Sequence, residues 1–423
     1  MFETLNPQQR AAVDHDGSPC SSWPGPARAR PRPWRRGSAG SSTTARIRNG
    51  FCCSPSPVGR RRRCAPESPP WPATGPGGVW GGTFHSTANR LLRNFGQSAG
   101  LSAGFTVLDH ADAVELMGLT RTEEGFGERG VRFPRRETIT AIYSRMVSAQ
   151  AKLADVVESD FPWCAEHTDD LKTIFTAYTT AKRTHQVLDY DDLLLFWRGL
   201  TASAVGDALR ALFDHILIDE YQDTNPIQAD IIRGMCRPDT DLCAVGDDAQ
   251  AIYGFRAATV ANMWHFADHF PGATRIMLEQ NYRSTMPILA VANGVLAQST
   301  AHFDKALWSD REHGPIPVLH THYDEKAQSA SVARAVLDAR ERRHRPPPAG
   351  RAVPCGHHAD GLELELTRRD IPYVKYGGLK YLESAHIKDL LALLRILDNP
   401  ADQLAWHRAC RRSTVSAPRP CAD

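Results

Sequence analysis

Residues 214–225 read Asp-His-Ile-Leu-Ile-Asp-Glu-Tyr-Gln-Asp-Thr-Asn, and this stretch limits the fold more than any other. Ile216, Leu217 and Ile218 form a short apolar run dominated by β-branched side chains. That pattern fits a strand buried on both faces of a parallel sheet. Two carboxylates, Asp219 and Glu220, follow where the strand ends. In open α/β sheets the ligand crevice lies outside the carboxyl ends of the strands. Asp219 there can hold Mg²⁺, and Glu220 can orient and deprotonate an attacking water. Standing alone, such a pair reads as a solvated acidic turn. Its neighbours change the balance.

Leu242 to Val245 form a second apolar strand, followed by Gly246-Asp247-Asp248-Ala249-Gln250 and then Ile252-Tyr253-Gly254-Phe255-Arg256. Further on comes Leu278-Glu279-Gln280-Asn281-Tyr282-Arg283-Ser284. In this order and spacing, the three stretches resemble the UvrD/PcrA/Rep group of superfamily 1 DNA helicases. The resemblance covers most of the chain. It implies an α/β fold: a RecA-like P-loop NTPase domain with a parallel sheet and a helical insert, plus part of a second RecA-like domain. It also implies ATP and Mg²⁺ as cofactors, with single-stranded DNA and duplex junctions as partners. The activity implied is ATP hydrolysis coupled to 3′–5′ translocation and unwinding, in DNA repair or a related pathway.

The same resemblance assigns roles to individual residues. Gln9, in Leu5-Asn6-Pro7-Gln8-Gln9-Arg10, reads the adenine, a task that suits an amide able to donate and accept together. The segment also reads as a helix start with Asn6 as cap and Pro7 in the first turn, and both readings can hold. Gln250 senses the terminal phosphate. Tyr282 stacks on the base. Arg283 offers its fork to the transferring phosphoryl group, with an inter-domain salt bridge as the alternative. Gly82-Thr83-Phe84-His85 resembles a DNA-contacting motif in which Thr83 and His85 reach phosphates and Phe84 packs beneath them. Tyr253, Phe255 and Arg256 combine aromatic faces with a cation, as base stacking on single strands requires, although the same residues suit a packed turn. Ala257 stands where the family usually has glycine, which questions the local loop geometry.

Periodicity and motif order give a domain scheme. Residues 1–97 begin the first motor domain, 98–188 form a helical insert, and 189–284 complete the first domain. Residues 285–383 are part of a second motor domain, and 384–423 start a second insert. Ile139, Ile142, Tyr143 and Met146, and again Leu171, Ile174, Phe175 and Tyr178, recur at helical spacing and read as core. Lys182 and Arg183 read as a solvated face. Helices are expected over 286–298 and 329–340, and a strand over Ile316–Leu319.

One expected element is missing. A phosphate-binding loop reads G-x-x-x-x-G-K-[ST], yet the chain has no Gly-Lys dipeptide and its first lysine is Lys152. In its place, residues 18–78 are rich in Pro, Arg, Ser, Gly and Cys and lack hydrophobic periodicity, the composition of a disordered basic linker. Back-translation sharpens this. Moving the codon boundary lets Trp23–Pro31 encode Ala-Gly-Pro-Gly-Thr-Gly-Lys-Thr. The same offset lets Ser56–Cys64 encode Thr-Arg-Arg-Ala-Ala-Ala-Glu-Met, which resembles the family's next motif. A frame-shifted stretch over about residues 18–79 is therefore expected, and a second disruption over 343–355, where another offset permits a strand-like Ala-Val-Leu-Phe-Arg. The chain is then a helicase by lineage with a defective ATPase. The alternative is a catalytically dead fragment or pseudogene product with weak DNA binding. A helicase–nuclease reading lacks a supporting carboxylate cluster.

Composition removes other classes. With 50 Lys and Arg against 48 Asp and Glu, the net charge is +2, so DNA binding must come from local patches. No apolar run reaches the roughly 18 residues of a membrane span. The N-terminus lacks a signal pattern, so a cytoplasmic protein is expected. His357-His358 has no Cys or His partner at ligand spacing. Seven of the ten cysteines fall in the two interruptions or the tail, so neither disulfides nor metal ligands are expected of them.

Overall fold

In the computed structural model the strands, in chain order, are β1 (Cys20–Pro24), β2 (Gly50–Ser54), β3 (Val79–Thr83), β4 (Thr106–Val107), β5 (Val187–Leu188), β6 (His215–Ile218), β7 (Asp241–Val245) and β8 (Thr274–Leu278). Residues 5–15, 20–24, 50–54, 79–102, 104–126, 133–300, 303–342, 350–353, 356–375, 385–400 and 402–413 are described. Six strands form one parallel sheet in the order β3-β2-β6-β7-β1-β8, and β4 pairs with β5. The apolar run after Asp214 thus becomes an inner strand, with Ile216 and Ile218 fully buried and Leu217 nearly so. The observed class is α/β with a parallel sheet.

Two of these strands lie where the sequence predicts a disordered linker. β1 and β2 fall inside residues 18–78, and β1 sits between β7 and β8. The expectation is corrected for residues 20–24 and 50–54. Five-residue strands are too short to show a period, and ladder pairing is made by backbone groups whatever the side-chain pattern. The proposed phosphate loop beyond Pro24 and the motif at 56–64 lie outside the described residues.

The chain divides into two compact units, residues 1–315 with 393–423, and residues 316–392. In the first, the helical insert is built from helices His110–Glu123, Arg136–Ala149, Leu153–Asp160 and Thr168–Thr184. The periodic positions Ile139, Ile142, Leu171, Ile174 and Tyr178 are fully buried, and one apolar cluster runs from them to Ile216, Ile218 and Leu242. Insert and sheet therefore share a core. Asp189 caps helix Tyr190–Thr201, which packs on helices Phe84–Phe95 and Pro226–Met235.

Lys182 departs from its expected solvated face. It is 2% exposed, and its Nζ lies 2.7 Å from both Asp189 and Asp192. The chain turns through Gln186 (φ 54°) after helix Thr168–Thr184, and that turn brings these carboxylates beneath it. Local spacing carries no sign of such a turn.

In the second unit, helix Glu325–Arg342 packs on helix Asp360–Arg368 around Ala333, Leu362 and Leu366. The strand expected at Ile316–Leu319 does not form; Ile316 is 77% and Leu319 88% exposed. No other strand occurs among the described residues of this unit, and a lone strand has no ladder to satisfy its amides. Residues 350–353 carry no regular structure, with Arg351 donating to the Gln328 side chain at 2.8 Å. Residues 343–349 and 354–355 lie outside the described residues. Among the described residues no helix is long and apolar enough to cross a membrane.

Candidate functional site

β6 delivers its two carboxylates differently. Asp219 stays half-buried and accepts the Glu220 N–H at 3.1 Å. Glu220 is 4% exposed and sits at φ 56°, ψ 47°, in the left-handed region. That conformation costs a non-glycine residue about 1–2 kcal/mol, and such strain gathers at functional positions. The turn is held by the Asp223 and Thr224 N–H groups, which donate to the carbonyls of Glu220 and Tyr221 at 2.9 and 3.1 Å.

A chain of hydrogen bonds then joins the ends of β6 and β7. Gln222 Nε2 donates to Glu220 Oε2 at 2.9 Å, while Gln222 Oε1 accepts the Asp247 N–H at 3.0 Å. Asp247 Oδ2 accepts from Gln250 Nε2 at 2.6 Å, and Asp247 Oδ1 pairs with Lys305 Nζ at 2.5 Å. Lys305 also pairs with Asp248, whose other oxygen accepts the Phe303 N–H at 2.7 Å. The structure thus links Glu220 with Gln250 through Gln222 and Asp247. It adds Gln222, visible inside the Asp-Glu-Tyr-Gln-Asp motif, and Lys305, a loop lysine with no sequence signal.

The residues assigned to the adenine form a second group. Asn6 caps helix Pro7–Val13 through a reciprocal pair with Gln9, so the helix-start reading holds. Asn6 Nδ2 donates to Gln280 Oε1 at 2.9 Å and to the Tyr282 hydroxyl at 3.1 Å; that hydroxyl donates to Gln280 Oε1 at 2.6 Å. Gln9 and Tyr282 are thereby tied to one cluster across the sequence. Arg283 is exposed, and its backbone is held by Asn281 Oδ1 and by Arg311, which donates to its carbonyl at 2.7 Å.

The DNA-side residues divide. Tyr253 and Phe255 lie 5.9 Å apart, and Arg256 sits 5.5 and 5.4 Å from their ring centres. Phe255 is 75% and Ile252 72% exposed, which disfavours the packed-turn reading for this loop. Arg145 of the insert donates to the Gly254 carbonyl at 3.0 Å and braces it. Ala257, buried at φ 61°, occupies a position suited to glycine.

Thr83 caps helix Phe84–Phe95 through Ser86. Phe84 has no exposed surface and packs 6.0 Å from Trp197, so it is a core residue that supports the motif without reaching a ligand. His85 keeps some exposure, yet its ring is packed edge-on to Tyr190 at 5.5 Å. Burial lowers its pKa to about 4, so the imidazole is neutral near pH 7. It can reach a phosphate only as a hydrogen-bond partner.

Among the described residues no group of three His, Cys, Asp or Glu could hold a metal ion. A magnesium ion needs fewer protein ligands, because it commonly takes one or two carboxylates and completes its shell with phosphates and water. Asp219 fits that requirement.

Comparison with known proteins gives the family. A family model described as the UvrD/REP helicase N-terminal domain matches residues 39–271, and one described as the UvrD-like helicase C-terminal domain matches 276–420. The chain belongs to the UvrD/REP helicase family. It is 31% identical to "ATP-dependent DNA helicase UvrD1" of Mycobacterium leprae over 449 residues, which cover 96% of this chain and 54% of that protein. It is 32% identical to "DNA helicase II" of Escherichia coli over 356 residues, 81% of this chain and 47% of the relative. With "ATP-dependent DNA helicase PcrA" of Leuconostoc citreum the identity is 30% over 336 residues, 78% and 44% of the two chains. The chain thus spans about half the length of these UvrD-like relatives.

Proposed function

We propose that this chain carries the nucleotide and single-strand sites of an ATP-dependent DNA helicase motor, with a RecA-like first domain. The observation that carries the reading is the bonded chain Glu220–Gln222–Asp247–Gln250 across the carboxyl ends of two parallel strands. Glu220 orients and deprotonates the attacking water. Gln250 senses the terminal phosphate, and Arg283 stabilises the charge that develops on it. Asp219 would hold Mg²⁺, which supplies charge neutralisation when bound. Gln9 and Tyr282 take the adenine, and Tyr253, Phe255 and Arg256 take single-stranded DNA by stacking and phosphate contact. Movement along the strand is proposed to run 3′ to 5′, ending at duplex junctions.

Turnover by this chain is proposed to be weak. The sequence holds no Gly-Lys dipeptide, so neither the phosphate-loop lysine nor its neighbouring hydroxyl is supplied in the usual form. Losing such electrostatic support costs on the order of a thousandfold in rate. A DNA-stimulated ATPase assay tests both parts. The expected result is single-strand binding with residual turnover, and recovery of nucleotide binding when the frame over 18–79 is restored. Turnover near that of intact relatives, abolished by Glu220→Gln, would overturn the proposed weakness while upholding the site.

A further inference from the structure

Residues 303–311 touch both halves of the candidate nucleotide site. At one end Lys305, with a side chain 6% exposed, pairs with Asp247 at 2.5 Å and with Asp248. Asp247 in turn receives the Gln250 amide and, through its own N–H, holds Gln222 against Glu220. In the middle, the Ala306 N–H donates to Glu279 Oε1 at 2.9 Å. Trp308 exchanges backbone bonds with Glu279 and Asn281 at 3.2 and 2.7 Å. At the other end Asp310 accepts from Gln280 Nε2 at 2.9 Å, and Arg311 donates to the Arg283 carbonyl at 2.7 Å. Gln280 is the residue that receives Asn6 and Tyr282.

We propose that residues 303–311 form a strap, anchored by Lys305, that sets the position of Gln250 and of the Tyr282–Arg283 segment together. Lys305 is a positioning residue: it pairs with Asp247 and Asp248 and acts through Asp247. A buried ammonium between two buried carboxylates has one low-energy place, because each partner left alone would be an uncompensated buried charge. The anchor therefore holds the strap in one register relative to β7. The bond to Asp310 and the bond to the Arg283 carbonyl carry that register to the adenine and arginine residues. The inference rests on the nucleotide-site reading for its purpose, but the mechanical link stands on contacts within the chain.

The test uses the full chain without nucleotide and follows amide hydrogen exchange. Lys305→Met should accelerate exchange at 246–250 and at 279–284 together, by about tenfold or more, as expected when a local anchor opens. Lys305→Arg should restore protection at both. Should Lys305→Met fail to fold, Asp248→Asn serves instead. Its amide oxygen still accepts the Phe303 N–H, while one of the two ion pairs is lost, so a smaller but still paired rise is expected. Faster exchange confined to 303–306, or at 246–250 without 279–284, overturns the strap. A parallel titration of the chain with its frame over 18–79 restored, using a fluorescent ADP analogue, tests the nucleotide reading separately. Coupled exchange with no analogue binding would leave the strap standing and remove its proposed purpose.

Discussion

The larger compact unit, residues 1–315 with 393–423, holds two buried lysine–carboxylate networks, and they serve opposite ends. Lys305 with Asp247 and Asp248 lies at the carboxyl end of β7, joined to Glu220 and Gln250. Lys182 with Asp189 and Asp192 lies under the insert, between the rings of Tyr143 and Tyr178, 4.9 and 4.4 Å from their centres. The second network carries marked titration anomalies. Burial pushes Asp191 and Asp192 up to about 7, reinforced by repulsion from Asp189. Burial also works against ionised Asp189, but Lys182 outweighs it and holds that carboxyl below its ordinary value. Asp189 and Asp192 shift in opposite directions although both bond Lys182, because one ammonium cannot fully compensate several carboxylates. Perturbed titration alone would thus nominate the structural cluster. Position at a strand's carboxyl end is what nominates the other cluster for the proposed chemistry.

The largest expected effect separates the networks by stability. Lys182→Met should lower the unfolding free energy by about 3–5 kcal/mol, since it strands buried carboxylates. Glu220→Gln should change stability by no more than about 1 kcal/mol, because its amide can still meet Gln222 and the strained backbone is unchanged. Denaturant titration of both variants checks this, and equal losses would erase the distinction drawn here.

Next comes the exposed aromatic loop. Phe255→Ala should weaken single-strand binding by about 1–3 kcal/mol and leave the unfolding midpoint nearly unchanged, as its side chain is largely in water. Fluorescence anisotropy with a labelled oligonucleotide measures the first, and thermal melting the second.

A pH series sharpens the comparison further. Asp191 has a folded pKa of about 7 against an ordinary 3.8, so between those values the folded state binds more protons than the unfolded. Its contribution is complete at low pH and is lost as pH rises through 7, with a slope of up to about 1.4 kcal/mol per pH unit. His85, lowered to about 4, has the opposite sign: its contribution is lost as pH falls below 6.5. Asp191→Asn should therefore flatten the decline between about pH 5 and 7, read as the difference from the parent chain. An unchanged slope would mean that Asp191 is ionised in the fold.

The smallest effect is at Ala257. Ala257→Gly should stabilise the chain by about 1 kcal/mol, relief of a left-handed alanine outweighing the added freedom of the unfolded glycine. A lower melting temperature would show the loop to be held without strain.

Part of the candidate site was legible because its signal is local: Asp219 and Glu220 end a short apolar run. Gln250, Tyr282 and Arg283 were marked only by resemblance to family motifs. The apolar run at 216–218 needed only its β-branched pattern to be read as a buried strand. Even the alanine at 257 could be flagged, because a missing glycine marks a demand on φ. Phe84 shows the limit of motif reading: its place in the motif is plain, but full burial against Trp197 comes from helix packing.

Tertiary structure decided the rest, for reasons of range. Lys305 finds its partners 57 and 58 residues away, and Asn6 reaches Gln280 across 274. No periodicity in a loop encodes such meetings. β1 and β2 lie in a stretch whose composition argues against structure, yet the sheet supplies ladders on both sides of each. Lys182 looks like a surface lysine until the turn at Gln186 folds Asp189 and Asp192 under it. The sequence by itself determined which chemical groups are present and which of them end a strand. The three-dimensional chain decided which became buried together, because burial and ion pairing depend on neighbours that only folding brings within a few ångströms.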